Sequence, residues 1–295
     1  MTVAMAPFLS SHGKSGAGRP RAARRARILR GRKHPIAFMG ITGETVRMTA
    51  DEFENALHKA VGRPRAEMRT QYCGRIVTKQ LVREPGAHRT SWGQATVQLG
   101  SPQGIKVAVN LNMMQGDLGA TDYRRLAGLA FAGIRRYWSR PVKLGNVVFA
   151  VDVVALNNVK DGIDVKLAIE NGPKYSRSNN LAILWVDARF TYNAGFFQNQ
   201  AYADQDFMET SAHEFGHSVL TEFGGIGHSW THEGSTSILQ SATPATPGYP
   251  QTGEINLMRY YNEKKGQASF QRLIRDSRAT EFDVQCLLWM SKLAF

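Results

Sequence analysis

The most informative stretch of this chain is residues 211–222, which read SAHEFGHSVLTE. Residues four apart share one face of an α-helix, so His213 and His217 can present two imidazole nitrogens to a single metal ion. Glu214 lies beside them and can reach a water on the metal without ligating it. Zinc suits such ligands and, in catalytic sites, keeps one tetrahedral position open for water. The spacing therefore predicts a zinc site on a helix.

The sequence around this motif supports a helix that packs against a sheet. An acidic residue, Asp206, is the predicted start of the helix, which runs to about Phe223 and is stopped by Gly224 and Gly225. A predicted strand over 181–187 precedes it. Apolar side chains at helical spacing can face a core, so the motif is expected on an ordered, packed element.

Two histidines do not complete a catalytic zinc site, so a third ligand must come from elsewhere in the chain. The metzincin extension is absent, because Leu220 and Phe223 occupy the positions of its glycine and histidine. An acid supplied after a loop can complete the site, which favours Glu254 within residues 253–261, GEINLMRYY. The other downstream candidates are His228, His232, Glu233 and Glu263.

The segment that follows Glu254 resembles a Met-turn. In such a turn a methionine lies beneath the metal ligands, and a tyrosine two residues later reaches the substrate oxygen. Met258 and Tyr260 hold these positions. Met258 fits an ordinary core position equally well, and Tyr260 a packed aromatic.

The rest of the folded part predicts an α+β fold with a largely antiparallel sheet. Period-two alternation predicts half-buried strands, and residues 157–162 resemble a hairpin turn. A capping box at Thr49–Glu52 opens a helix to about Ala60, and Thr121 begins a second helix with an apolar stripe and an arginine-rich solvated face. The predicted strands cover 75–82, 93–99, 105–111, 147–156, 163–169 and 181–187, and two C-terminal helices cover about 266–276 and 280–294.

Charge divides the chain into an arm and a body. Of its 295 residues, 37 are Lys or Arg and 24 are Asp or Glu, which gives a net charge of +13. Much of the excess lies between Lys14 and Lys33, and the first acidic residue is Glu44. We predict a disordered basic arm over 1–44 and one domain over 45–295.

The composition also restricts the compartment and the partners. No apolar run approaches the length of a membrane span, and the N-terminus lacks the basic region of a secretory signal. Two cysteines, Cys73 and Cys286, cannot form a four-cysteine metal site, and buried thiols are expected. The basic arm suits nucleic-acid binding by charge, but it has no interleaved aromatic residues to stack on bases.

Three segments resemble the metallopeptidase effector domains carried by some type VI secretion spike proteins. They are HEFGHSVLTEFGG at 213–225, SWTH at 229–232 and TGEINLMRYY at 252–261. The resemblance covers roughly residues 120–265 and implies a zincin-like fold in which an active-site helix is followed by a helical C-terminal half. It also implies that a downstream glutamate, here Glu254, completes the zinc site. The chain differs in having no spike domain and in its basic arm.

The expected function is zinc-dependent hydrolysis of peptide bonds by a secreted antibacterial toxin, exported without a classical signal peptide and acting in the periplasm of a target cell. One Zn²⁺ is held by His213, His217 and Glu254, while Glu214 and Tyr260 act on the substrate. The resemblance implies a secretion-system spike or adaptor and a cognate immunity protein as partners, besides the peptide substrate. The alternative is a nucleic-acid-binding module with a structural or vestigial zinc.

Overall fold

The computed structural model describes residues 48–62, 65–72, 75–82, 90–100, 102–180, 188–197, 199–225, 228–229 and 244–295. The predicted arm at 1–44, the predicted strand at 181–187, Cys73, His232 and Glu233 lie outside these residues. The described part has an α+β fold built on a mixed seven-stranded sheet.

Five helices and eleven strands are numbered here in chain order. The helices are α1 (Ala50–Val61), α2 (Ala120–Trp138), α3 (Gln200–Gly224), α4 (Phe270–Asp276) and α5 (Glu281–Met290). The strands are β1 (Arg65–Tyr72), β2 (Arg75–Val82), β3 (Gly93–Gln98), β4 (Gly104–Met114), β5 (Arg140–Leu144), β6 (Val147–Asn157), β7 (Ile163–Ile169), β8 (Ala188–Tyr192), β9 (Ile255–Asn256), β10 (Ser277–Arg278) and β11 (Lys292–Ala294).

The large sheet has the order β11-β3-β4-β6-β5, with β7 paired to β4 and β8 paired to β7. The prediction of a largely antiparallel sheet is wrong. Only the pairs β3–β4 and β5–β6 are antiparallel, whereas the other four pairings are parallel. Alternation reports which side chains are buried and carries no information on strand direction, which here depends on the crossover through α2.

The predicted hairpin turn at 157–162 is also wrong. Both flanking strands pair in parallel with β4, β6 along Gly104–Leu111 and β7 along Leu111–Met114. Asn157 Oδ1 accepts a hydrogen bond from the Met113 amide at 3.1 Å, and the Asn158 amide donates to Leu111 O at 2.9 Å. The connection therefore joins two strands, β6 and β7, that pair in parallel with successive stretches of β4 and not with each other.

The predicted helices are present, with shifted ends. The capping box of α1 is confirmed, with the Glu52 amide donating to Thr49 Oγ1 and the Glu52 carboxylate accepting in return. The apolar stripe of α2 is also confirmed, since Leu126, Ile134 and Trp138 are buried. Helix α3 begins at an Asn199 cap and has no acidic residue in its first turn, so Asp206 does not mark its start.

The C-terminal helices are shorter than predicted. Helix α4 begins at a Ser269 cap, and α5 ends at Met290, after which β11 joins the sheet beside β3. Helix α5 is buried along nearly its whole length and includes Cys286, whose thiol is free and buried, as predicted. No helix within the described residues is long and apolar enough to cross a membrane.

Helix α3 is fixed by close contact with α2. The Trp138 indole Nε1 donates a hydrogen bond to Ala212 O at 3.0 Å, immediately before the histidine motif. The Trp138 ring also packs edge-on against Phe215, with ring centroids 5.2 Å apart. Gly133 allows the helices to approach, because a Cβ there would overlap the backbone of Met208. These contacts set the height and rotation of the face that carries His213.

Candidate active site

Helix α3 brings His213 and His217 together as their spacing predicts. Their Nε2 atoms lie 3.2 Å apart, and the two ring planes are nearly perpendicular. His217 is buried, whereas His213 is half-buried and lines a cavity at the surface of the domain. The helix thus presents two imidazole nitrogens to one point.

Hydrogen bonds at the opposite ring nitrogens determine the tautomers. His213 Nδ1 lies 2.7 Å from Leu257 O, and because a carbonyl only accepts, this nitrogen carries the proton. His217 Nδ1 lies 3.0 Å from Ser229 Oγ, whose own hydroxyl donates to His217 O at 3.2 Å. Ser229 therefore accepts from His217, and in both neutral rings the lone pair is on Nε2.

This arrangement fits zinc. Ligand nitrogens about 2.0–2.1 Å from a tetrahedral zinc are separated by about 3.3 Å, close to the observed distance between the Nε2 atoms. Two lone pairs that point at one another are unfavourable without a cation between them. Burial also lowers the pKa of His213, which favours the neutral, ligating ring over a protonated one.

Glu214 is 7% exposed and lines a cavity of about 380 Å³ together with His213 and Tyr260. Burial raises the pKa of Glu214 to about 8, against the opposing effect of Arg177. A carboxyl group with a pKa near neutrality can both accept and return a proton, as a general acid–base requires.

The segment after Glu254 also reaches the histidine pair. Tyr260 packs perpendicular to the His213 ring, with centroids 6.0 Å apart, and its hydroxyl accepts a hydrogen bond from Arg177. Burial raises the pKa of Tyr260 to about 12, so the hydroxyl stays a hydrogen-bond donor. Met258 is 1% exposed and packs against Gly216, which lies between the two histidines in the sequence of α3.

The structure does not bring Glu254 to the histidine pair. Its side chain is 61% exposed and forms an ion pair with Arg140 at 3.2 Å, in a separate depression lined by Arg275 and Arg278. The prediction that Glu254 ligates zinc gains no support from this position. Arg140, at the start of β5, instead holds the Glu254 carboxylate through this ion pair.

The other candidate ligands divide into two groups. His228 packs edge-on against Phe223, and burial lowers its pKa, while Glu263 is exposed at the rim of the cavity. His232 and Glu233 lie outside the described residues. Within the described ranges, no group of three His, Cys, Asp or Glu side chains could hold a metal, so a complete ligand set is not found there.

Several cavity residues were not predicted. Arg177, in the segment between β7 and β8, carries no motif that sequence analysis could detect. Glu209 precedes His213 by four residues, so the helical spacing that found His217 could also have found it. Aromatic side chains complete the wall, namely Tyr175, Tyr249 and Tyr261.

Comparison with known proteins gives no relative: no family model, curated protein or solved structure matches this chain.

Proposed function

We propose that this protein is a zinc-dependent peptidase with a zincin-like active site, in which His213 and His217 hold the metal. The observation that carries the proposal is the 3.2 Å separation of their Nε2 atoms, with both Nδ1 positions occupied by hydrogen bonds. Glu214 follows His213 and lines the same cavity. A metal-ligand pair next to a buried carboxyl group supports hydrolysis better than a purely structural role.

Bound zinc polarises a substrate carbonyl and lowers the pKa of a water molecule to about 7. Glu214 accepts the proton of the attacking water on a carboxylate oxygen as the new C–O bond forms. It then gives that proton to the leaving amine as the C–N bond breaks. Burial helps at both steps, because it raises the pKa of Glu214 into the range where the group exchanges protons near neutral pH.

Tyr260 and Arg177 are placed to act on the carbonyl oxygen. The two side chains are hydrogen-bonded to one another and line the cavity that contains Glu214. A neutral tyrosine hydroxyl backed by a guanidinium can stabilise negative charge that develops on the substrate. His232 is the alternative donor to the carbonyl oxygen.

The third zinc ligand is proposed from sequence alone. Glu254 is the candidate that the resemblance favours, although its side chain pairs with Arg140. His228, packed against Phe223, and Glu263, exposed at the rim, form no group of three with the histidine pair among the described residues. His232 and Glu233 are therefore the other candidates. Loss of zinc from the alanine variant of one of these three residues would identify the ligand.

The biological setting also follows only from the resemblance of the three segments. We propose a secreted antibacterial effector, delivered by a type VI secretion system to the periplasm of a target cell and neutralised by an immunity protein. No contact among the described residues favours the nucleic-acid alternative, which depends on the arm at 1–44.

Replacing Glu214 by glutamine tests the proposed mechanism, because glutamine keeps the shape of the side chain but cannot accept the proton. We expect Glu214→Gln to retain zinc and to lose about 10²-fold or more in hydrolysis. Zinc is measured by elemental mass spectrometry and hydrolysis by mass spectrometry of a peptide library. A zinc-loaded Glu214→Gln protein with wild-type activity would overturn the mechanism.

A further inference from the structure

The cavity beside the histidine pair contains a carboxylate that the proposed hydrolysis does not use. Glu209 lies one turn before His213 on α3 and lines the same cavity. Within the described residues, no hydrogen bond or ion pair engages its carboxyl group. Asp206, one turn further back, differs because its oxygens accept from the Tyr175 hydroxyl at 3.3 Å and from the Asn193 amide.

The surroundings of Glu209 disfavour a bare negative charge. Burial raises the pKa of Glu209 to about 8, and repulsion by Asp206 acts in the same direction. A carboxylate in such a place is stabilised when a cation enters. The cavity therefore favours a positively charged ligand next to Glu209.

A second polar group in the cavity also lacks a partner. Ser277, in β10, is 1% exposed, and its Oγ forms no hydrogen bond with the described residues. Ser277 lines the same cavity as Glu209. A buried hydroxyl is normally hydrogen-bonded, so a ligand whose donor group reached this covered oxygen would satisfy it.

The charged side chains that line the cavity, apart from His213, are two cations and three acidic groups, namely Arg177, Arg259, Glu209, Glu214 and Glu263. Arg177 acts on Tyr260, Glu214 and His213. Glu209 is repelled by Asp206 and itself repels Glu214. A substrate with a cationic group beside Glu209 would offset this repulsion among carboxyl groups.

We propose that this cavity is a specificity pocket for a primary ammonium group of the substrate, with Glu209 as the counter-charge and Ser277 as a further hydrogen-bond acceptor. The inference deepens the proposed peptidase function and rests on it. An ammonium group is compact and carries several donors, which suits a carboxylate and a hydroxyl. It can come from the N-terminus of a peptide or from a lysine-like side chain beside the scissile bond.

Binding of small probes tests the pocket without relying on hydrolysis. The probes are leucine amide for an α-ammonium, Nα-acetyl-lysine methylamide for a side-chain ammonium, and Nα-acetyl-norleucine methylamide as the neutral analogue. Calorimetry on the zinc-loaded full-length Glu214→Gln protein should show at least one ammonium probe binding about 10- to 100-fold more tightly than the neutral one. The probe that binds identifies the source of the ammonium group.

A matched pair of variants assigns the effect to Glu209. In the same background, Glu209→Gln should remove the preference for the ammonium probe, whereas Glu263→Gln, at the exposed rim, should keep it. Equal affinity for charged and neutral probes in the parent protein would overturn the proposal, and this comparison requires no further variant. Equal loss in Glu209→Gln and Glu263→Gln would also overturn it.

The peptidase function is judged separately, from library hydrolysis by the wild-type protein. Ammonium binding without any hydrolysis would contradict the peptidase and leave the binding pocket standing. Hydrolysis without a preference for ammonium-bearing peptides would contradict the pocket alone.

Discussion

Ser229 contributes to the site through the hydrogen bond that it accepts from His217 Nδ1 at 3.0 Å. This bond fixes the tautomer and the orientation of the ring, and removing such a partner typically costs a metal site 10–100-fold in affinity. We expect Ser229→Ala to weaken zinc binding by about 10-fold or more, as measured by competition with a chromophoric chelator.

Ser218→Ala is the matched control, because Ser218 Oγ accepts from the Asn180 amide and not from a histidine. Its zinc affinity should stay at the wild-type value. If the two alanine variants bind zinc equally well, Ser229 does not position His217.

At the residue scale, spacing on a helix was the dependable signal. It predicted that His213 and His217 bring their ring nitrogens together, as the 3.2 Å between the Nε2 atoms shows, because helical geometry fixes the relative positions of residues that are close in sequence. Glu254 depends on the path of a loop, and the partner that holds it, Arg140, is far away in the chain. No local pattern could reveal that pairing.

The packing of α2 on α3 gives a test at the scale of the elements. A Cβ at Gly133 would overlap the Met208 backbone, which cannot rotate away as a side chain could. We expect Gly133→Ala to lower the free energy of unfolding by about 3 kcal/mol, measured by urea denaturation, because the helices must separate.

Gly128, on the same helix, has open space around its missing Cβ. Gly128→Ala should therefore stabilise the protein by about 0.5–1 kcal/mol through helix propensity alone. Destabilisation of both variants to the same extent would show that the close contact between α2 and α3 is not the cause.

The element boundaries show what alternation can and cannot predict. The ranges of β3, β4, β6 and β7 follow the sequence pattern to within a few residues. Their directions do not, because strand pairing is set by long-range contacts such as Leu111 with Ile163. The early start of α3 at Gln200 was missed because no acidic residue follows its cap, Asn199, in the first turn.

At the scale of the whole molecule, buried carboxyl groups make stability depend on pH. Burial raises the pKa of Asp206 to about 6 and that of Glu209 to about 8, above the values of about 4 found in unfolded chains. Between about pH 4 and 8 these two carboxyl groups therefore bind more protons in the folded zinc-free protein than in the unfolded chain. This contribution to stability is full below pH 4 and is lost as the pH rises through 6 and 8.

We expect the free energy of unfolding of the zinc-free protein to fall between pH 7 and pH 8.5 as Glu209 ionises, because above pH 7 the buried histidines His213 and His228 are mostly neutral in the unfolded chain as well. Glu209→Gln should flatten that fall and be more stable than wild type at pH 8.5 by about 1–4 kcal/mol. Urea denaturation at a series of pH values measures both. Parallel pH profiles for the two proteins would show that Glu209 does not carry a raised pKa.

The zinc-to-protein ratio of the purified full-length chain, determined by elemental mass spectrometry, shows whether His213 and His217 hold a metal ion. We predict about one zinc per chain in wild type and in the control His228→Ala, and almost none in His213→Ala. Among Glu254→Ala, His232→Ala and Glu233→Ala, the variant that loses zinc identifies the third ligand. A wild-type chain that holds no zinc after reconstitution, or a His213→Ala chain that keeps zinc, would contradict the proposed zinc site.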